Sequence, residues 1–195
     1  MVAPRVGAAI VLLACLKAAA APGADTYTMD TAHSAPTFSF SHLGLTTQSG
    51  RFDRAAGTVE LDLAARRGRV SYEVDAASLN MGFGTESADS PGLRLFQVLR
   101  HPKIRFVSDR LVFDEQGRVV AAAGRLTLLG VERAITVQVA RFQCSTSPVN
   151  HQRLCTAEIS AVLRRSDFGM RDYLPAISDE VTVRVPVEAY RNPIK

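Results

Sequence analysis

From residue 25 onward, apolar positions in this chain recur every second residue. Val59, Leu61 and Leu63 alternate with Thr58, Glu60 and Asp62, and Val70, Tyr72 and Val74 with Ser71, Glu73 and Asp75. Ile104 and Phe106 alternate with Lys103 and Arg105; Ile135, Val137 and Val139 with Thr136 and Gln138. Val120, Ala122, Gly124, Leu126 and Leu128 share one parity, as do Ala157, Ile159, Ala161 and Leu163. Val181, Val183, Val185 and Val187 alternate with Thr182, Arg184, Pro186 and Glu188. With the opening stretch 34–42, the pattern predicts about eight strands, each with one apolar and one polar face. Such strands form antiparallel sheet with one side dry. Turn signals separate them at 66–68, 114–117, 129–133 and 147–150, and short connections favour an up-and-down order. The expected fold is all-β, an eight-stranded antiparallel up-and-down barrel whose closure removes exposed edges. A two-sheet sandwich is the alternative. Pro186 cannot donate to a ladder, so it must lie at an edge, a bulge or a loose seam of the closure.

Residues 79–102 break the alternation. Leu93, Leu95, Phe96 and Leu99 recur at helical spacing, Ser90 with Pro91 resembles a helix start, and Pro102 forbids continuation. One short helix is expected between the third and fourth strands, placed to cap a barrel end.

Residues 1–24 read as a signal peptide: Arg5, the apolar stretch "VGAAIVLLACL", then small residues suited to cleavage. The apolar stretch is too short to span a bilayer. The remainder, 25–195, reads as one domain, and the expected location is periplasmic or secreted. "LLAC" leaves a lipoprotein anchored through Cys15 as the alternative. The formal charge of +4 falls on removal of Arg5 and Lys17, leaving 21 bases against 19 acids. That balance is poor footing for nucleic acid, and "AARRGR" at 64–69 reads as a solvated hairpin tip. Cys144 and Cys155 flank a ten-residue segment rich in turn formers. A disulfide there suits an oxidising compartment. Zinc fits less well, since His151 lies nearby without a CxxC pair.

His33 and His42 bracket "SAPTFSFS". In a strand, Phe38, Phe40 and His42 share the dry face, whereas His33 precedes the strand. At about 3.3 Å per residue the two histidines lie roughly 30 Å apart, so a shared metal is not expected. His42 is expected to point inward and His33 to serve a turn. GxSxG, HExxH and P-loop patterns are absent from the sequence. The inward faces combine Phe38, Phe40, Tyr72 and Phe106 with the small residues Ala122, Gly124, Ala157 and Ala161. An eight-stranded barrel either fills itself or holds one small ligand, and composition leaves both open. Arg165 shares the inward parity of Leu163, at the mouth with Asp167 or in a surface ion pair.

The segment "YTMDTAHSAPTFSFSHLGLTTQSGRFDRAAGTVELD" resembles the opening of the YceI-like family of secreted, lipocalin-like proteins, through Tyr27, Asp30, His33, Ser34, His42, Gly44, Gly50 and Phe52. "LFQVLRHPKIRF", "GRLTLLGVERAITV" and "RSDFGM" extend the likeness, in order, over nearly all of the chain beyond the leader. The cysteines of "FQCSTSPVNHQRLC" are similar to those of a subset of the family. Leu95, Gln97 and His101 depart from the family's usual Phe, Asp and Tyr. The chain has no Trp, unlike true lipocalins.

The resemblance implies an extended lipocalin-like barrel around an apolar cavity that binds a long-chain isoprenoid or quinone-type lipid, without catalysis or a further cofactor. The lipid tail is then expected against Phe38, Phe40, Phe52, Leu61, Tyr72, Val74, Ile104, Phe106, Leu126, Leu128, Val137, Ile159 and Phe168. His42, Arg165 and Asp167 are candidate polar contacts, and Phe83 and Phe96 candidate gates. The expected partner is an apolar lipid, with transient membrane or membrane-protein contact. Two other readings stay open. One is an interaction protein with a filled barrel supporting a membrane redox or stress system; the other is a lipid-acting enzyme with His42 as base.

Overall fold

The structure, a computed structural model, describes residues 23–82 and 91–193. The leader as far as residue 22, Cys15 within it, and Phe83 lie outside the described residues. Among the described residues eleven strands occur: β1 Asp25–Met29, β2 Thr37–His42, β3 Thr46–Phe52, β4 Ala55–Asp62, β5 Arg67–Asp75, β6 Leu79–Asn80, β7 Lys103–Phe113, β8 Val119–Leu128, β9 Val131–Thr146, β10 Arg153–Arg164 and β11 Ile177–Arg191. Helix α1, Pro91–Leu95, lies between β6 and β7. The order β1-β4-β5-β7-β8-β9-β10-β11 returns to β1, closing an eight-stranded antiparallel barrel. The remaining strands extend from β11 as β2-β3-β6.

Eight expected strands become eleven because the first three each bend. β1 and β2 both pair with β11, β1 at Ala189–Arg191 and β2 between Ile177 and Arg184. β3 leads into β4 through 53–54, and β5 into β6 through a 3₁₀ turn, Ala76–Ser78. The latter two bends are bonded together: Asp53 N donates to Ser78 O (2.9 Å) and Arg54 N to Ser78 Oγ (3.0 Å). At the first bend, Glu188 N donates to Ser34 Oγ (3.2 Å), Asp30 N to Glu188 O (2.7 Å) and Tyr72 Oη to Ser34 O (2.7 Å). Burial raises the Tyr72 pKa, so its hydroxyl remains a donor. The first bend also accommodates Pro186. Residues 185–188 of β11 have no strand partner on the β1–β2 side. Glu188 directs its N–H into that gap, and Pro186, two residues earlier, turns its nitrogen the same way. The proline therefore occupies a seam of the closure.

Most of the expected parity holds, but bulges on β7, β8 and β9 shift it. Phe113 pairs with Val119 and Val112 with Ala121, leaving Val120 extra. Val119, rather than Val120, therefore faces inward. On β9, Arg141 and Phe142 oppose Ala157, with Arg141 at φ 50°, and Phe142 turns in. Two further expectations fail. Helix α1 stops at Leu95, so Leu99 is almost fully exposed. Gly124 leaves no free volume, because Phe106 and the Val107 carbonyl already occupy the space its Cβ would take.

At the end opposite the helix, Cys144 and Cys155 are direct cross-strand partners joined by a disulfide. On the chain-entropy model, closing a loop of this size stabilises by about 3 kcal/mol.

Gly124→Ala should lower stability by about 1–3 kcal/mol through overpacking, read as a lower urea midpoint with an unchanged slope. The first bend also carries a pH dependence. A hydrogen bond from His33 Nδ1 to the Asp30 carboxylate (2.7 Å) raises the His33 pKa and lowers that of Asp30. The histidine contribution is full below its ordinary 6.5 and fades as pH rises through its raised folded value. The Asp30 contribution is full above 3.8 and fades as pH falls through its lowered one. Urea unfolding from mildly acidic to mildly alkaline pH should thus show stability declining, with a shallower decline in His33→Gln.

Candidate ligand cavity

The inward faces do not meet at the barrel axis. They enclose a cavity of about 440 Å³ whose wall is almost wholly apolar. Ligand pockets commonly run to about 300–1,000 Å³. Every strand of the ring contributes: Tyr27 and Met29 from β1, Val59 and Leu61 from β4, Tyr72 and Val74 from β5, and Ile104 and Phe106 from β7. Leu126 and Leu128 come from β8, Ile135 and Val137 from β9, Ile159 and Ala161 from β10, and four valines from β11. Their side chains stand perpendicular to a sheet that closes around the ring with one gap, at 185–188 of β11. Backbone pairing fixes the spacing of the walls and holds them apart.

One end carries the helix. Gly92, Leu95 and Phe96 face the cavity, and Leu93 and Val98 are buried beside Phe52, Val74 and Leu79. An aromatic series runs from the mouth to this cover: Phe40 and Phe38 (6.3 Å between centroids), Phe38 and Phe52 (5.6 Å), then Phe52 and Phe96 edge-on (5.2 Å). Gly50 permits it, since a Cβ there would strike the Phe38 ring and Met81 Sδ at 2.6 Å. Tyr173 is both a wall residue and 58% exposed, so the cavity reaches the surface at the 169–176 loop.

Phe38, Phe40, Phe52, Leu61, Tyr72, Val74, Phe96, Ile104, Phe106, Leu126, Leu128, Val137, Ile159, Arg165 and Phe168 all line the cavity. His42 and Asp167 do not. His42 has the inward parity of Phe38 and Phe40, but it is the last residue of β2 and stands exposed on the rim. Asp167 lies in a 3₁₀ turn, Arg165–Phe168. Three residues per turn place Arg165 and Phe168 on one face and send Asp167 to solvent.

Arg165 makes no surface ion pair. It is 4% exposed, and its guanidinium donates to Ser178 O (2.9 Å), Met170 O (3.0 Å) and Ile177 O (3.0 Å). Burial lowers its pKa, against the opposing fields of Asp179 and Asp172. Asp179 completes the tie, accepting from Ser166 N (2.8 Å), Ser166 Oγ (2.7 Å) and Arg164 Nε (3.1 Å). Those hydrogen bonds, Ser166 first, hold its carboxyl below the ordinary range. The loop at the mouth is therefore fastened to the ends of β10 and β11.

Among the described residues, no His, Asp, Glu or Lys lines the cavity. Thr37 Oγ1 and Tyr72 Oη, both on wall residues, already donate to backbone carbonyls. Asp30, His33 and Glu188 bring ligand atoms within 4.8 Å of one another, but they belong to the first bend and none lines the cavity. The interior is equipped to hold an apolar chain. Sequence reasoning omitted several wall residues. Tyr27 and Met29 were accessible from period two alone. Val119 and Phe142 were concealed by bulges, and Met170 and Tyr173 sit in a loop without periodicity.

The model of the YceI-like domain matches residues 27–189. No curated protein matches the sequence. Solved structures show the same fold. Burkholderia cenocepacia BcnA is 20% identical, with a TM-score of 0.65 over 82% of this chain and 98% of its own. The Campylobacter jejuni YceI protein is 18% identical, with a TM-score of 0.65 over 78% and 90%. A polyisoprenoid-binding domain from Saccharophagus degradans, implicated in plant cell wall breakdown, is 17% identical, with a TM-score of 0.56 over 86% and 98%. Barrel, cavity and domain match lead to one assignment: the chain belongs to the YceI-like domain family.

Proposed function

We propose that the protein is a periplasmic or secreted carrier or store that holds the tail of a long-chain isoprenoid or quinone-type lipid and catalyses no reaction on it. One observation carries the reading: a continuous apolar cavity of about 440 Å³ that reaches the surface. Burial supplies the affinity. At roughly 0.8 kcal/mol per buried CH₂, one five-carbon unit contributes several kcal/mol as an upper limit. Selectivity then rests on tail length and cavity shape. The polyisoprenoid-binding neighbour supports the ligand class. The disulfide supports an oxidising compartment, consistent with a cleaved leader over 1–24 and a domain over 25–195. The filled-barrel alternative requires an interior without this void. The enzyme alternative requires His42 at the cavity, and it stands on the rim.

Native mass spectrometry of gently purified protein should show an apolar adduct that exchanges for added polyprenol. Ala161→Phe, placed to fill the cavity, should weaken polyprenol binding at least tenfold while the barrel stays folded by circular dichroism. Protein free of adduct as purified, and indifferent to added polyprenols, would defeat the reading. Arg165→Met keeps the bulk and strips three carbonyls of their donor. It should cost about 3 kcal/mol by urea unfolding, with Arg165→Lys intermediate.

A further inference from the structure

Two loops meet at the mouth, and both present apolar side chains to water. Leu43, Gly44 and Leu45 form the tip of the β2–β3 hairpin; Leu43 is 57% and Leu45 82% exposed. The 169–176 loop presents Tyr173 and Leu174, also exposed. Leu43 N donates to Ala176 O (2.6 Å) and His42 pairs with Ile177, so the loops form one surface. Folding gives no account of this composition. Leu43 has φ 56° and Tyr173 φ 64°, left-handed positions that stability would give to Gly, Asn or Asp. The leucine tip sits in open space, with nothing within 4 Å of a Cβ built on Gly44. Large apolar residues placed where they weaken the turn and left more than half exposed, as Leu43, Leu45 and Tyr173 are, point to a surface that acts through contact.

The neighbouring charges indicate the occupant. Arg171 in the same loop, Arg94 in α1 and Arg100 shortly after it, at the same barrel end, are exposed and form no ion pair among the described residues. Asp167 and Asp172 are the exposed acids of the adjoining turn and loop. Apolar tips flanked by arginines match a bilayer, in which the tips enter the acyl region and the guanidiniums meet phosphates. Tyr173, a wall residue of the cavity, lies within this same surface.

We propose that the mouth end docks on an anionic lipid bilayer through Leu43, Leu45, Tyr173 and Leu174, with Arg171 and Arg100 at the headgroups. An apolar ligand could then pass between membrane and cavity without crossing water. The role in transfer rests on the lipid-carrier reading; the docking itself does not.

The test is co-sedimentation of the protein with phosphatidylglycerol–phosphatidylcholine vesicles, compared with phosphatidylcholine alone, alongside native mass spectrometry of the same samples. Wild type should bind the anionic vesicles in a salt-dependent manner. Leu43→Ser with Leu45→Ser should bind at least roughly tenfold more weakly while keeping the adduct and its melting temperature. Tyr173→Ser with Leu174→Ser provides a second variant on the partner loop. Equal binding by wild type and both double variants, or none by wild type, overturns the proposal. A concentration-dependent dimer that the leucine variant abolishes, without vesicle binding, would instead assign the surface to a second copy of the chain. Loss of vesicle binding with the adduct retained separates docking from ligand holding.

Discussion

Closure of the sheet is the constraint on which the rest of this molecule depends. A ring of eight strands leaves little open edge, here only the gap at 185–188 of β11, and it also fixes the distance between opposite walls. β11 makes the closure. It runs the length of the barrel, pairs with β10 on one side, and divides its other side between β2 and β1. The division accommodates the ring's main irregularity. Where the first strand leaves β11, Pro186 needs no partner for its nitrogen, and Ser34 and Asp30 take up the backbone groups of Glu188. The Asp30–His33–Ser34 portion of the family-like motif thus has a structural reason, as a clasp across a strand break.

A barrel held by its ladder can tolerate a void that a helical bundle would collapse into. The cost is still large. At about 24 cal/mol per Å³ of core cavity, 440 Å³ stands on the order of 10 kcal/mol below a packed interior. That is comparable with the whole stability of a typical domain, about 5–15 kcal/mol. Long ladders in β9, β10 and β11, the cross-strand disulfide and the Arg165 tie offset this at the walls. None of them fills the space. An apolar chain lying within it would restore the missing contacts, which is the physical pressure behind the proposed ligand.

Most of the wall was legible in the sequence because one rule, alternate residues facing in, operates along unbroken strands. Val181 to Val187, Ala157 to Leu163, and Val70 to Val74 all obey it. The rule fails where the backbone departs from it. Bulges at Val120 and Arg141 move the parity by one residue, and the 3₁₀ turn replaces a period of two with three, sending Asp167 outward. His42 shows a different limit, since parity gives a direction but not the point at which a strand runs out of barrel. Whether the inward residues met in the middle could not be read at all. Gly124 looked like free volume and is filled by Phe106, whereas Ala157 and Ala161 border the void.

The polar groups around the mouth and the first bend are spent on the backbone. Here Arg165 is committed to three carbonyls, Asp179 to Ser166 and Arg164, and Tyr72 to Ser34. Each fastens backbone in place, and Arg165 and Tyr72, both wall residues, do so with their polar groups already engaged. Polarity is thus used to set the shape of an apolar space. The same division explains the mouth: fixed polar ties lie beneath the loops, and Leu43, Leu45 and Tyr173, each more than half exposed, lie above them. A surface built in this way is rigid where it meets the barrel and greasy where it meets its surroundings, as transfer of a water-insoluble chain would require.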